Sequence, residues 1–144
     1  MANKDLHNNI HVVPGIVPVA ARTNNTAIVS AIVDTQGYGS CEFVLVTGTN
    51  TDADVTFTVL VEDGDNASLT DNAAVADDEL LGTEVLAAFA FGDDNECRKI
   101  GYVGNKRYVR VTVTPADNGA GDIFLSGVWI LGHPSIAPTT NPPA

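Results

Sequence analysis

Cysteine is scarce: Cys41 and Cys97 are the only two in the 144-residue sequence, too few for a disulfide scaffold. Each opens a strand-like pattern, so the two lie near enough in expectation to bond. Buried free thiols are the expected state, because a reducing compartment keeps thiols apart. Basic side chains are also few, seven Lys and Arg against eighteen Asp and Glu, for a net charge of −11. Nucleic acid is therefore excluded as a partner, since neutralising phosphates takes a dominant basic surface. No apolar run approaches the roughly 18 residues of a membrane span; 12–21 is shorter and holds Pro14 and Pro18. The first five residues, MANKD, lack the basic-then-apolar order of a signal peptide, so a soluble product of the cytoplasm is expected. The three histidines, His7, His11 and His133, form no HExxH, and no CxxC or GxSxG is present. No catalytic residues, metal ligands or cofactors are assigned on that basis.

What the sequence does have is period-2 alternation, the mark of strands with one face buried. Val109, Val111 and Val113 alternate with Tyr108, Arg110, Thr112 and Thr114. PADNGAG (115–121) supplies turn chemistry. After it Ile123, Leu125, Trp129 and Leu131 alternate with Phe124, Ser126, Val128 and Ile130. Two long strands with a Gly-rich link predict an antiparallel hairpin. The second strand is apolar on both faces, which predicts a central strand with something packed over each side. Trp129 falls among the core residues and not on an exposed sugar-stacking platform. Further strands are expected at 26–34, 42–47, 55–62, 85–92 and 97–103, spaced as in an antiparallel sandwich. A single short helix is predicted within 71–83, with Asp77, Asp78 and Glu79 at its start and Gly82 at its end.

The fold class expected is all-β: one antiparallel β-sandwich, jelly-roll-like, over 26–133. Ahead of it, 1–25 is an extended N-terminal arm in which Pro14 and Pro18 exclude a helix and a central strand. Its apolar residues Ile10, Val12, Val13, Ile16 and Val17 need cover, either on their own domain or on a neighbour, and they are candidate partner-binding residues. Behind the sandwich, 134–144 is a Pro-rich tail, either disordered or strapped to a partner. Charge is segregated as well. Every charged residue over 52–96 is acidic, and every one over 98–110 is basic. Solvation explains the acids; the sharper reading sets a basic strip of Lys106, Arg107 and Arg110 against acidic loops of a second copy. The loop Asp63-Gly64-Asp65-Asn66 fails the EF-hand pattern at Ser68 and Ala74. Convergence of 52–54, 63–65 and 93–96 into a cation-holding rim is the alternative to solvated turns.

Three stretches carry a resemblance: LLGTE (80–84), RKIGYVGNKRYVRVTVTPA (98–116) and GHPSIAP (132–138). They resemble small β-rich proteins of tailed bacteriophages, encoded in head-morphogenesis modules near the major capsid gene. That resemblance implies a capsid decoration, or cement, protein, commonly trimeric, on the outer surface of the virion capsid. Its implied partners are the major capsid protein and itself as a homotrimer. It brings no site residues with it. A head or tail accessory, a carbohydrate- or receptor-binding module and an enzyme are the competing classes; the sequence offers an enzyme no polar constellation.

Overall fold

A computed structural model describes residues 4–143, so the outermost ends of the expected arm and tail lie outside the described residues. Eleven strands form in chain order. They are β1 (Ile10–Ile16), β2 (Ile28–Val29), β3 (Val33–Asp34), β4 (Tyr38–Asn50), β5 (Thr56–Gly64), β6 (Ala73–Ala74), β7 (Leu80–Leu81), β8 (Phe89–Ala90), β9 (Cys97–Tyr102), β10 (Tyr108–Ala116) and β11 (Ile123–Pro134). One sheet runs β1-β11-β4-β9-β7; the other runs β2-β10-β5-β6, with β3 on β10 and β8 on β5. All of the pairings are antiparallel. The long strands alternate between sheets as the chain advances, so the expected antiparallel sandwich of jelly-roll-like character is what forms.

Alternation explains the core. Val109, Val111 and Val113 are wholly buried, and Phe57, Val59 and Val61 line the neighbouring strand. From the other sheet Phe43, Leu45, Ile100, Leu125, Trp129 and Leu131 point at them. Trp129 lies with its ring centroid 4.7 Å from that of Phe43 and donates its indole N–H to Ala31 O at 3.1 Å. Core packing, not sugar stacking, is its role.

The expected hairpin is not there. β10 pairs with β5 on one side and with β2 and β3 on the other, while β11 pairs with β4 and β1. The link over 115–121 is an arch between sheets. Alternation and turn residues look the same for an arch and for a hairpin. What differs is that the two apolar faces here meet across the core instead of lying side by side. The arch is pinned from outside the two strands. Buried Asn118 donates from its backbone to Asn25 Oδ1 at 2.8 Å, and its amide donates to Arg22 O and Asn24 O. Buried Asp52 accepts from the backbones of Gly119 and Ala120 at 3.1 and 2.9 Å.

The helix is misplaced too. Over 71–83 the chain forms the edge strand β6, a single 3-10 turn (Asp77–Glu79) and β7. The α-helical turn, α1, is Glu84–Ala87, where a strand was expected; Thr83 caps it by accepting from Leu86 N–H at 3.1 Å. Helix is prevented at the earlier position because Ala73 and Ala74 pair with β5 and Val75 N–H donates to Val61 O at 3.0 Å. Of the strand expected over 85–92 only β8 remains, and Val85 and Leu86 are 83% and 71% exposed. The strand expected over 26–34 is interrupted at Ser30, whose hydroxyl takes the place of a ladder partner for Val111 N–H at 2.9 Å.

β1 lies on its own domain, at the edge of its sheet, which is where Pro14 permits a strand. It follows β11 from Ile10 opposite Gly132 to Ile16 opposite Gly127. The C-terminal segment runs back over it: Thr139 donates to Asn8 O at 3.0 Å, and its hydroxyl donates to Ile10 O. The described part of the arm thus takes the placement on its own domain, and Thr139 of the tail, for which disorder or a partner was expected, bonds to this same molecule.

Candidate interaction surface

The sequence-predicted contact residues separate on the structure. Ile16 is buried, at 3% exposure, and Ile10 and Val13 are half-buried. Val12 is exposed, and Val17 more so at 55%. Burial removes Ile16 from the group available to a partner; it closes the core beside Gly127.

The basic strip has its partners within the chain. Arg107 forms a two-point hydrogen-bonded pair with Asp34, at 2.9 and 2.7 Å, and its guanidinium lies 5.0 Å from the Tyr108 ring centre. Arg110 reaches Glu62 at 2.9 Å from the strand position directly opposite. Lys106 pairs with Asp65. The Arg107 and Arg110 bonds hold the carboxyl groups of Asp34 and Glu62 below their ordinary values. Recruiting these cations to a second copy means breaking three pairs first.

The acidic loops likewise turn to protein partners. Asp63 is buried and accepts from the Tyr102 hydroxyl at 2.7 Å; burial, and secondarily that carboxylate, push the phenol pKa up. Asp93 faces Arg98 at 3.4 Å. Asp52 holds the arch, and the donated backbone N–H groups lower its pKa. Among the described residues no three His, Cys, Asp or Glu side chains gather as metal ligands. Both cysteines are free: Cys41 is buried and desolvation pushes its thiol up to about 12, whereas Cys97 is exposed rather than buried.

What the sequence reading missed is the outer face of the β1-β11-β4-β9-β7 sheet. It predicted cover over both faces of β11, yet within the described chain the inner face is packed and the outer one is met only at its β1 margin, where Pro143 lies beside Val12, Pro14 and Val128. The register places Val12 beside Ile130, Pro14 beside Val128, Val128 beside Val44 and Val46 beside Cys97. Val46 is 43% exposed, Phe124 54% and Leu81 57%. Two concavities of about 440 and 520 Å3 lie along this face, both lined by Glu42 and Leu81. Glu42 stands here half-buried; desolvation raises its carboxyl pKa, an effect that Lys99 opposes. The signal that could have found the face was in β4, where Val44 and Val46 break the polar phase of the alternation.

No family model and no curated protein matches this sequence. Solved structures do. The PBSX exported protein XepA superposes with a TM-score of 0.51 at 12% identity, over 97% of this chain and 42% of that one. The chain thus spans well under half of XepA, and the likeness is one of fold. A CBM36-1 domain of a multidomain xylanase from the hindgut metagenome of Trinervitermes trinervoides aligns at a TM-score of 0.41 and 13% identity, over 85% of this chain and 96% of that one. The xylan-binding module CBM15 aligns at 0.43 and 10% identity, over 92% and 95%. Among the described residues no helix is long and apolar enough to cross a membrane.

Proposed function

We propose that the protein is a structural component of a tailed-phage virion that binds the outside of the capsid and bridges major capsid protein subunits. The observation that carries an assembly role is the uncovered apolar sheet face, because exposed apolar patches of this kind mark surfaces that other proteins cover. The phage address comes from the resemblance over 80–84, 98–116 and 132–138. Those stretches build β7, β9, β10 and the end of β11, so what they share with the phage proteins is the scaffold. Contact with the capsid then falls to displayed apolar residues away from that scaffold, Val17 and Val19, which are 55% and 77% exposed. A sugar-binding reading would need an aromatic platform; the one tryptophan is 1% exposed inside the core, which leaves that reading only the separate exposed rings of Phe91 and Phe124.

A clip that binds only the assembled lattice stabilises it by mass action, by about 2.7 kcal/mol per site at a hundredfold excess over the dissociation constant. The test is to prepare particles without this chain, then heat and dilute them beside intact ones while mapping the chain by cryo-electron microscopy. Earlier DNA loss from the depleted particles, with density for the chain over the shell, is expected. Equal resistance with the density at the tail would end the capsid reading.

A further inference from the structure

We infer that the outer face of the β1-β11-β4-β9-β7 sheet is a self-association surface, on which a second copy of this chain packs face to face about a two-fold axis. The inference rests on the reading of this face as an assembly surface, though not on the capsid as the protein's address.

Three observations select a second copy as the occupant. The first is charge. A chain of net charge −11 repels its own copies over most of its surface, but this face presents Glu42 and Lys99 among Val12, Val44, Val46 and Val128, with Arg98 at its margin already paired to Asp93 and Glu96. It is neutral where like molecules must meet.

The second is the arrangement of those two charges. Glu42 lies opposite Gly101 and Val44 opposite Lys99 in the β4–β9 register, so Glu42 and Lys99 are diagonal neighbours on one face. Among the described residues they form no ion pair, whereas the cations Arg98, Lys106, Arg107 and Arg110 all do. A two-fold axis lying in the interface, across the midpoint between them, sets Glu42 of each copy opposite Lys99 of the other. The pair is made twice, and the partly desolvated carboxylate gains a counter-charge beyond the Lys99 of its own chain. An isologous contact of this kind needs one self-complementary patch.

The third is area. Four strands at about 4.8 Å spacing and six residues at roughly 3.4 Å rise make a patch of about 20 by 20 Å. That is roughly half of the ~800 Å2 per partner of a standard interface, and the exposed Leu81, Leu86 and Phe124 at its margins enlarge it toward that size. The phage resemblance implies trimers; the placement of Glu42 and Lys99 closes instead as a pair.

Cys97 provides the reporter. It is exposed on this face opposite Val46, while Cys41 is buried and unreactive. The experiment measures mass by sedimentation across a concentration series of the purified full chain, with maleimide labelling of Cys97 at each point. A monomer–dimer equilibrium with Cys97 protected in the dimer is expected. Glu42→Lys and Lys99→Glu should each weaken association by roughly tenfold or more through like-charge opposition, and the double swap should restore it. Val128→Lys should give a monomer, whereas Val29→Lys, at an exposed valine on the other sheet, should not. Unchanged thermal melts establish that these surface variants are folded. A monomer at all concentrations, a closed trimer, an oligomer with Cys97 still reactive, or a double swap as weak as the singles would each overturn the inference.

Discussion

At the scale of single residues, burial and hydrogen bonding decide what each side chain can do. Trp129→Ala removes the largest core side chain and its bond to Ala31, and is expected to cost roughly 3–5 kcal/mol in denaturant unfolding; a loss under about 1 kcal/mol would place the indole in solvent. Asp52 shows how polar residues act without chemistry. Its carboxylate holds the arch by accepting two backbone N–H groups, so its folded-state pKa lies below the ordinary 3.8, as do those of Asp34 and Asp71. Glu62 falls below its ordinary 4.5. The stability these groups contribute is present above the unfolded-state values and is lost as pH falls through the lower folded ones. Glu42, shifted upward, has the opposite sign and is relieved as acid protonates it. The melting temperature is therefore expected to hold from neutrality to about pH 5 and to drop below about pH 4, with a shallower drop in Asp52→Asn. An acid limb unchanged by that substitution would show that the arch does not depend on the carboxylate.

Among elements, legibility divided along a physical line. Strand positions with one buried face were readable, because period-2 burial is a local consequence of the pleat: Val109, Val111, Val113, Leu125 and Trp129 were all assigned correctly to the core. Pairing was not readable, because Pro115 and the two glycines after it turn a chain toward a neighbouring strand or across to another sheet with equal ease. The choice was made by Asn118 and Asp52 reaching loops roughly 70 to 95 residues away in sequence. The helix was misplaced because Asp77, Asp78 and Glu79 make a good first turn, but Asp71 and Val75 were already committed to β5 and its loop. The candidate surface was half legible. Val12 and Val17 are exposed as a contact surface requires, whereas Ile16 became core and Lys106, Arg107 and Arg110 found partners far away in sequence. Gly127 tests the packing of β11 against the Phe43 ring of β4. A Cβ there would meet the Phe43 ring at 2.4 Å, so Gly127→Ala is expected to cost about 1–3 kcal/mol by overpacking. Deleting the residues before Ile10 should leave the melt nearly unchanged, whereas deletion through Ile16 should lower it sharply; equal melts would put β1 outside the fold.

For the whole molecule, the sandwich buries its core between two sheets and leaves apolar residues displayed on one outer face. Circular dichroism should be dominated by strand, with helix far below a quarter of residues; a larger helical fraction would contradict the two-sheet architecture. The place of β11 has a further consequence, in time rather than in space. It is made after the other ten described strands, yet it lies inside its sheet between β1 and β4, which do not pair with each other. Until it arrives, β1 has no strand to pair with and only the bond from Ala31 N–H to Gly15 O, β4 has an open edge, and the core lacks Trp129. A nascent chain ending anywhere before Ile123 should therefore be as open to protease as an unfolded one. The fold should then appear in one step, as β11 slides between two strands made well before it.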